Sequence, residues 1–166
     1  EIPANTGNIG RTCVAIGATL HLIEPLGFVI NDKNLARAGM DYWKQLDVRT
    51  YLDWEDFCAK NPDARIWMAT TKGRHVYSDV SYGPDDYIMF GKESAGIPEE
   101  ILAEHWEHTV RIPMQKDARS LQGEIRSLNL SNSVAIVAYE ALRQNHFDKM
   151  TTKGQLHRLH WAPEDM

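Results

Sequence analysis

Two glycines and a carboxylate follow a short apolar run in the segment Phe90–Ile97. The run Tyr87–Phe90 predicts a buried strand, so Gly91, Glu93 and Gly96 come at its carboxyl end. Ligands bind at this edge of an open α/β sheet. Glycines let the backbone approach a ligand closely, and Glu93 could accept a hydrogen bond from a ligand hydroxyl or orient an arginine. Taken alone, the segment is also compatible with an ordinary strand-to-helix turn.

A second polar region follows the next predicted strand. Ile112, Pro113 and Met114 end that strand, and the Ser/Asn-rich stretch Ser127–Ser133 leads into the last helix. Proline fixes φ and removes a donor, so the chain leaves the sheet abruptly. The helix entry offers hydroxyls, amides and unpaired backbone N–H groups, of which Asn129 or Ser131 can cap the first turn. The remaining polar groups exceed what capping requires and indicate a polar ligand.

The start of the chain is a third candidate segment. Asn5 or Thr6 could serve as an ordinary helix cap, and Asn8 follows within one turn. Arg11 lies one turn further, where its guanidinium could reach whatever the preceding loop faces.

Strand-like and helix-like runs alternate along the chain. The predicted strands are Leu20–Ile23, Val48–Tyr51, Arg65–Thr70, Tyr87–Phe90 and Thr109–Ile112. The predicted helices are Asn8–Ile16, Lys33–Ala38, Glu55–Lys60, Glu99–Trp106 and Ser131–Gln144. This alternation predicts an α/β fold with a mostly parallel sheet and helices on both faces.

The chain has 166 residues, 43% of them hydrophobic, which suits one globular domain. We predict that residues 1–145 form this domain and that 146–166, polar and irregular, form a tail or partner-contacting arm. No apolar run approaches the ~18 residues of a membrane span. Cys13 and Cys58 lack a CxxC spacing, which favours free thiols. A cytoplasmic protein that does not engage membranes is the expectation.

The formal net charge of −5 excludes binding of nucleic acid by overall positive charge. Any RNA contact requires a local basic patch, and seven cations are candidates for it. These are Arg111, Lys116, Arg119 and Arg126, with Arg11, Lys33 and Arg37. The His105/His108 and His157/His160 pairs have metal-like spacing but no Cys or carboxylate partners, so no metal site is predicted.

In order, the three segments resemble the motifs of the SPOUT class of RNA methyltransferases. The matching patterns are N-x-G-N-x-x-R from Asn5, F-G-x-E-x-x-G-I from Phe90, and I-P-M followed by S-x-N-L-S-N from Ile112 and Ser127. Within the class, the sequence is most similar to tRNA (cytidine/uridine) 2′-O-methyltransferases that modify the wobble nucleotide. The resemblance extends from about Glu1 to Gln144.

The resemblance implies a C-terminal trefoil knot, a rare exception to unknotted topology, whose loops bind S-adenosylmethionine. The matching cofactor positions are Ala69, Thr70, Gly91, Glu93, Gly96, Ile112, Met114 and Ser127. Arg11, Ser127 and Asn129 are the implied catalytic residues, and Asn8, Arg11 and Tyr139 the implied substrate contacts. The implied partners are tRNA and a second copy in a homodimer, which would bring Arg11 of one subunit near the cofactor of the other.

The sequence departs from the family pattern in two places. The family has a strand ahead of the Pro-x-Asn-Thr-Gly segment, which these residues do not include. Arg119-Ser120-Leu121 and Arg126-Ser127-Leu128 also stand where the family has one copy, so Ser120 and Ser127 compete for one position. We prefer Ser127 because it directly adjoins Asn129. Two alternatives follow: a methyltransferase acting on ribosomal RNA, and a catalytically impaired RNA- or nucleotide-binding relative.

Overall fold

A computed structural model describes residues 3–26, 41–115 and 126–161. These ranges contain four α-helices and six strands, and two short 3₁₀ helices span Asp41–Gln45 and Trp106–His108. The α-helices are α1 (Pro3–Ile16), α2 (Trp54–Lys60), α3 (Glu99–Glu104) and α4 (Leu130–Gln144). The strands are β1 (Leu20–Ile23), β2 (Val48–Tyr51), β3 (Ile66–Ala69), β4 (His75–Val76), β5 (Tyr87–Phe90) and β6 (Thr109–Arg111).

The described strands form two sheets, in each of which every pair is parallel. β1 pairs with β2, and the second sheet has the order β4-β6-β3-β5. The prediction of parallel α/β architecture is therefore confirmed, although it anticipated one sheet rather than two. The predicted helix Lys33–Ala38 lies outside the described residues, as does most of the loop assigned to the knot. The knot itself stays a prediction.

Alternation along β3 explains how helices cover both faces of the four-stranded sheet. Trp67 packs in a buried cluster with Val110 of β6 and Val137 of α4. Its neighbour Met68 points to the opposite face and packs with Leu102 of α3. Successive strand residues point to opposite faces, so β3 is buried on both sides and its sequence is apolar throughout.

β6 lies between β3 and β4, although β3 and β4 follow each other in sequence. The short connection between them passes the end of β6, where the Thr70 amide donates to the Val110 carbonyl at 2.9 Å. Gly73 lies against the β6 backbone, and a Cβ there would come within 2.3 Å of the Val110 carbonyl carbon. The crossing therefore requires glycine.

Three local expectations differ from the structure. α1 begins at Pro3 rather than Asn8, which places Asn5 inside the first two turns instead of at a cap. α3 ends at Glu104, and Trp106 belongs to a 3₁₀ helix that leads into β6. β4 was not predicted because two residues carry no readable periodicity, and their pairing comes from β6. Of the two residues predicted as possible caps of the last helix, Asn129 and Ser131, the structure has Asn129 as the cap.

Asp86 fixes the chain before β5 by accepting hydrogen bonds from three residues. Arg65 Nε donates to Oδ1 at 2.7 Å, while the Trp67 indole and the Gly83 amide donate to Oδ2 at 3.0 and 2.8 Å. Burial raises the pKa of this carboxyl, but the hydrogen bonds and the Arg65 charge outweigh burial and leave the pKa below its usual value. The ionised carboxylate therefore stabilises the fold.

Asp86→Asn is expected to lower the free energy of unfolding at pH 7 by about 1–3 kcal/mol, because charge-assisted bonds are lost. A lowered folded-state pKa means that the carboxylate's contribution is present above the unfolded pKa, about 4, and disappears as pH falls through the lower folded value. Urea unfolding between pH 7 and pH 2 should therefore show the variant and the parent converging in acid. The exposed neighbour Asp85 provides the matched control, Asp85→Asn. A constant difference at every pH would contradict the role given to Asp86.

Both cysteines are free thiols, with Cys13 buried and Cys58 partly exposed. Burial raises the pKa of the Cys13 thiol to about 11, so it is protonated and unreactive at neutral pH. Across the described ranges, no helix combines the length and apolar character needed to cross a bilayer.

Candidate functional site

The register of the second sheet brings the carboxyl ends of three strands to one edge. Ala69 at the end of β3 is level with Phe90 of β5 on one side and Val110 of β6 on the other. Gly91 directly follows β5, and Ile112 directly follows β6. The predicted cofactor segments therefore lie side by side. Ile112 and Met114 are both half-buried, and Ile112 packs against the cluster that contains Trp67 and Val110.

The loop after β5 is a closed turn. The Gly96 amide donates to the Lys92 carbonyl at 2.8 Å, and the Lys92 amide donates to the Gly96 carbonyl at 3.3 Å. Gly96 has φ +73°, a left-handed conformation that favours glycine. Gly91 lies so close to this turn that a Cβ would come within 2.1 Å of the Gly96 carbonyl carbon. The two glycines of the motif are thus required for different reasons.

A chain of side-chain hydrogen bonds joins all three candidate segments. Asn5 Nδ2 donates to Glu93 Oε1 at 2.9 Å, and Asn129 Nδ2 donates to Asn5 Oδ1 at 3.0 Å. Asn5 is only 6% exposed, so both ends of its amide are used within the protein. Segments 88 and 124 residues away from Asn5 are therefore held in one arrangement. This network is the central geometric feature of the site.

Glu93 is ionised in this arrangement. Burial raises the pKa of its carboxyl, but the bond from Asn5 and further hydrogen bonds lower the pKa by more, and the net pKa lies below the usual value. A carboxylate is thus held at the loop after β5, where it can accept hydrogen bonds but cannot donate them.

Both the oxygen and the nitrogen of the Asn129 amide have partners within the protein. Its Oδ1 accepts from the amides of Ser131 and Asn132 at 2.9 and 3.3 Å and from the Ser131 hydroxyl at 2.6 Å, while its Nδ2 binds Asn5. The side chain therefore caps α4 and ties it to α1. This geometry gives Asn129 a positioning function, and its predicted catalytic function stays a prediction.

Asn129→Ala is expected to lower the free energy of unfolding by about 1 kcal/mol, as loss of a helix N-cap does. It should also release Asn5 and weaken cofactor binding. Asn129→Asp is the matched variant, because it keeps the capping acceptor and removes the donor to Asn5. Urea denaturation and titration with S-adenosylhomocysteine separate the two effects. Asn129→Asp should preserve the helix cap and still weaken the binding of S-adenosylhomocysteine. If the two variants gave equal results in both measurements, Asn129 would not have separate functions as a helix cap and as a donor to Asn5.

Arg11 is exposed on α1, with its guanidinium carbon 5.3 Å from the centre of the Tyr42 ring. The Tyr42 hydroxyl donates to the Gly7 carbonyl at 2.6 Å, which fixes the ring against α1. Burial raises the pKa of Tyr42, and the nearby Arg11 charge opposes this rise. Asn8 is also exposed on α1. The arginine is thus held by a ring while its donors remain accessible.

The model of the SpoU rRNA Methylase family matches residues 1–139 of this sequence. The chain belongs to the SpoU methylase family. The matched range contains the whole Asn5–Glu93–Asn129 network. It ends within α4, before the tail.

Individual relatives agree with this assignment. The tRNA (cytidine(34)-2′-O)-methyltransferase of Saccharophagus degradans (strain 2-40) is 45% identical over 148 residues, which cover 89% of this chain and 92% of the relative. A solved structure that concerns 2-OH methylation of C/U34 on tRNA has a TM-score of 0.77 and 40% identity, with 89% of this chain and 91% of the other covered. The AdoMet-bound rRNA methyltransferase of Sinorhizobium meliloti has a TM-score of 0.67 and 27% identity, covering 86% of this chain and 52% of the other.

Three predicted site residues of this SpoU-family chain, Ser127, Tyr139 and Thr70, lie outside the Asn5–Glu93–Asn129 network. Ser127 is exposed ahead of α4, whereas its rival Ser120 lies outside the described residues. Tyr139 is 44% exposed on α4. Thr70 commits its amide to Val110 and its carbonyl to Gly73, so its backbone serves the β3–β4 crossing.

Asn5 and Tyr42 were not predicted as site residues, although the structure places both at the site. Asn5 was taken for a possible helix cap, because an Asn near a helix start is usually one. Its burial and its bonds to Glu93 and Asn129 depend on contacts distant in sequence. Tyr42 lies within the range Glu1 to Gln144 over which the sequence resembles the family, and that resemblance was the one available signal.

The histidine pair His105/His108 is engaged by aromatic rings. The His108 ring lies 5.0 Å from Trp67, and the His105 ring lies 6.3 Å from Trp54. Among the described residues, no group of three or more His, Cys, Asp or Glu side chains is placed to hold a metal.

Proposed function

We propose that this SpoU-family chain is an S-adenosylmethionine-dependent tRNA 2′-O-methyltransferase that modifies the wobble nucleotide, position 34. The proposal rests on the hydrogen-bond network of Asn5, Glu93 and Asn129. This network joins three segments that are distant in sequence at one edge of the sheet. A relative of nearly equal length acts on cytidine 34 of tRNA, according to its name.

The residues at this edge suit an adenosyl group. Ile112 and Met114 offer half-buried apolar surface, while Gly96, with open space at the position of a Cβ, offers backbone that a ligand can approach closely. Glu93 supplies an ionised acceptor suited to hydroxyl groups. The set proposed to hold the cofactor is Ala69, Thr70, Gly91, Glu93, Gly96, Ile112, Met114 and Ser127. When bound, S-adenosylmethionine supplies a methyl group activated by the positive charge on sulfur.

The protein has two chemical tasks in such a reaction. It must hold the ribose 2′-oxygen in line with the methyl group, and it must accept or relay the proton of that hydroxyl. A guanidinium carries N–H donors and no acceptor, so Arg11 acts as a donor that binds the adjacent phosphate or polarises the hydroxyl. Ser127 or a water molecule relays the proton to bulk solvent. Asn8 and Tyr139 contact the RNA.

A homodimer is part of this proposal. α1 and α4 pack against each other and carry the exposed side chains Arg11 and Tyr139. In the dimer, Arg11 of one subunit would approach the cofactor of the other. We also place the protein in the cytoplasm, where free thiols persist.

A ribosomal RNA substrate is the second candidate, because the matching family model is described by rRNA methylation and one similar structure is an rRNA enzyme. That structure is almost twice as long as the region that matches, since only 52% of it is covered. The tRNA methyltransferase relative, by contrast, is nearly as long as this chain, and this similarity in length favours a tRNA substrate.

Purified protein, tRNA and S-adenosylmethionine labelled in the methyl group test the proposal directly. Nuclease digestion should leave a labelled dinucleotide, because a 2′-O-methyl group blocks cleavage of the following phosphodiester. Ribosomal RNA serves as the competing substrate. Label in ribosomal RNA alone would select the second candidate. No label with either, although S-adenosylhomocysteine binds one per chain, would identify a catalytically impaired relative.

A further inference from the structure

The segment Lys149–Trp161, here called the arm, is opposite in charge to residues 1–148. It carries three Lys or Arg, two His and no Asp or Glu. Residues 1–148 carry 15 Lys and Arg against 21 Asp and Glu, a formal net charge of −6. A nucleic-acid contact in an acidic protein requires a local concentration of cations, and the arm provides one.

The arm also exposes apolar side chains. Trp161 is 51% exposed and Leu159 71% exposed, and every residue from 151 to 161 is exposed. The Trp161 indole donates to the Gly154 carbonyl at 3.0 Å, which closes a local loop and leaves the ring accessible. An accessible indole among cations can stack on a base, whatever that base is. No residue of the arm lies within the range that the family model matches.

The arm leaves the domain through a built turn. His146, Phe147 and Lys149 have φ of 58°, 52° and 60°, a left-handed conformation that costs an L-residue roughly 1–2 kcal/mol. Asn145 holds this turn by donating to the Tyr82 carbonyl at 3.1 Å and to the Ala141 carbonyl at 2.8 Å. The direction in which the arm departs is therefore set by the fold.

The arm and the candidate site lie at opposite ends of α4. The helix starts at the network residue Asn129 and runs for 15 residues to Gln144, about 22 Å along its axis. A single nucleotide at the site would not reach that far, whereas a folded RNA would.

We propose that the arm is a second RNA-binding element, which contacts the sugar-phosphate backbone of the tRNA through Lys153 and Arg158 and a base through Trp161. The inference rests on the proposed function for the identity of the RNA. It assigns binding to a part of the chain that performs no chemistry, so it predicts an effect on substrate affinity alone.

The test uses the full chain, a variant lacking residues 151–166, Lys153→Gln/Arg158→Gln, and Trp161→Ala. The tRNA dissociation constant is measured between 50 and 200 mM salt, together with methylation kinetics. The double variant should reduce the slope of log K against log salt by about 1–2. Trp161→Ala should weaken binding roughly 5- to 100-fold. The deletion should raise KM for tRNA and leave kcat unchanged.

Arg49→Gln/Lys60→Gln is the matched control, because it removes two exposed cations that are paired with Asp47 and Asp56 elsewhere on the surface. It should leave tRNA binding within twofold of the parent. S-adenosylhomocysteine binding should be the same in all variants. Methylation of a short anticodon-loop oligonucleotide should not depend on the arm.

An unchanged tRNA dissociation constant in the deletion variant would overturn the proposal. A change of oligomeric state in sedimentation, with weaker tRNA binding explained by that change, would also overturn it and identify the arm as a contact between copies. Failure of the proposed function is distinguishable, since the intact chain would then methylate no tRNA, whatever the arm contributes to binding.

Discussion

Arg11→Ala is expected to reduce 2′-O-methylation by at least about 10²-fold in kcat/KM, while S-adenosylhomocysteine binds as tightly as before. The guanidinium is exposed and held over the Tyr42 ring, outside the Asn5–Glu93–Asn129 network. Removing it should therefore leave the cofactor segments in place. The measurement pairs initial methylation rates with calorimetric titration.

Two further variants define what Arg11 contributes. Arg11→Lys keeps the charge but loses the planar set of donors, so it should recover only part of the rate. Tyr42→Phe keeps the ring and removes the hydroxyl bond to the Gly7 carbonyl, so it should loosen the arginine and give an intermediate rate. Loss of cofactor binding together with methylation in Arg11→Ala would refute the role assigned here.

Gly91→Ala is expected to abolish detectable cofactor binding and to lower the free energy of unfolding by about 1–3 kcal/mol or more. The added Cβ would come within 2.1 Å of the Gly96 carbonyl carbon and 2.3 Å of the Ile97 amide nitrogen. These are backbone atoms, so no side chain can rotate away. The loop has to move, and Glu93 within it would leave Asn5.

Gly96→Ala and Gly17→Ala separate this clash from backbone strain. Both glycines have φ near +70° and open space around the position of a Cβ. Each substitution should cost roughly 1–2 kcal/mol of stability. Gly96→Ala should weaken the binding of S-adenosylhomocysteine, because it strains the loop after β5. Gly17→Ala should leave this binding unchanged. A Gly91→Ala protein with parental stability and cofactor affinity would show that the loop accommodates a side chain.

Much of the fold could be predicted because several of its strands can be recognised from their own residues. β1, β2 and β5 have the predicted bounds, since short apolar runs between turn residues are typical of buried parallel strands. The long helix α4 was also predicted to within a residue, because a wide apolar face repeats at helical spacing. Short elements were harder. β4 and the 3₁₀ helices have too few residues to show a period, and neighbouring elements determine them.

By itself, the sequence determined the family, the class of fold and the loop at the end of β5. The order of its motifs and the presence of Gly91 and Gly96 can be read without coordinates, whereas the reason that each glycine is required comes from the structure. The tertiary structure decided which side chains meet. It turned Asn5 from a possible cap into a buried link to Glu93, and it gave Asn129 two functions at once. It also put β6 between β3 and β4. These outcomes depend on contacts between residues far apart in sequence, and no local pattern encodes which distant partner a polar side chain will find.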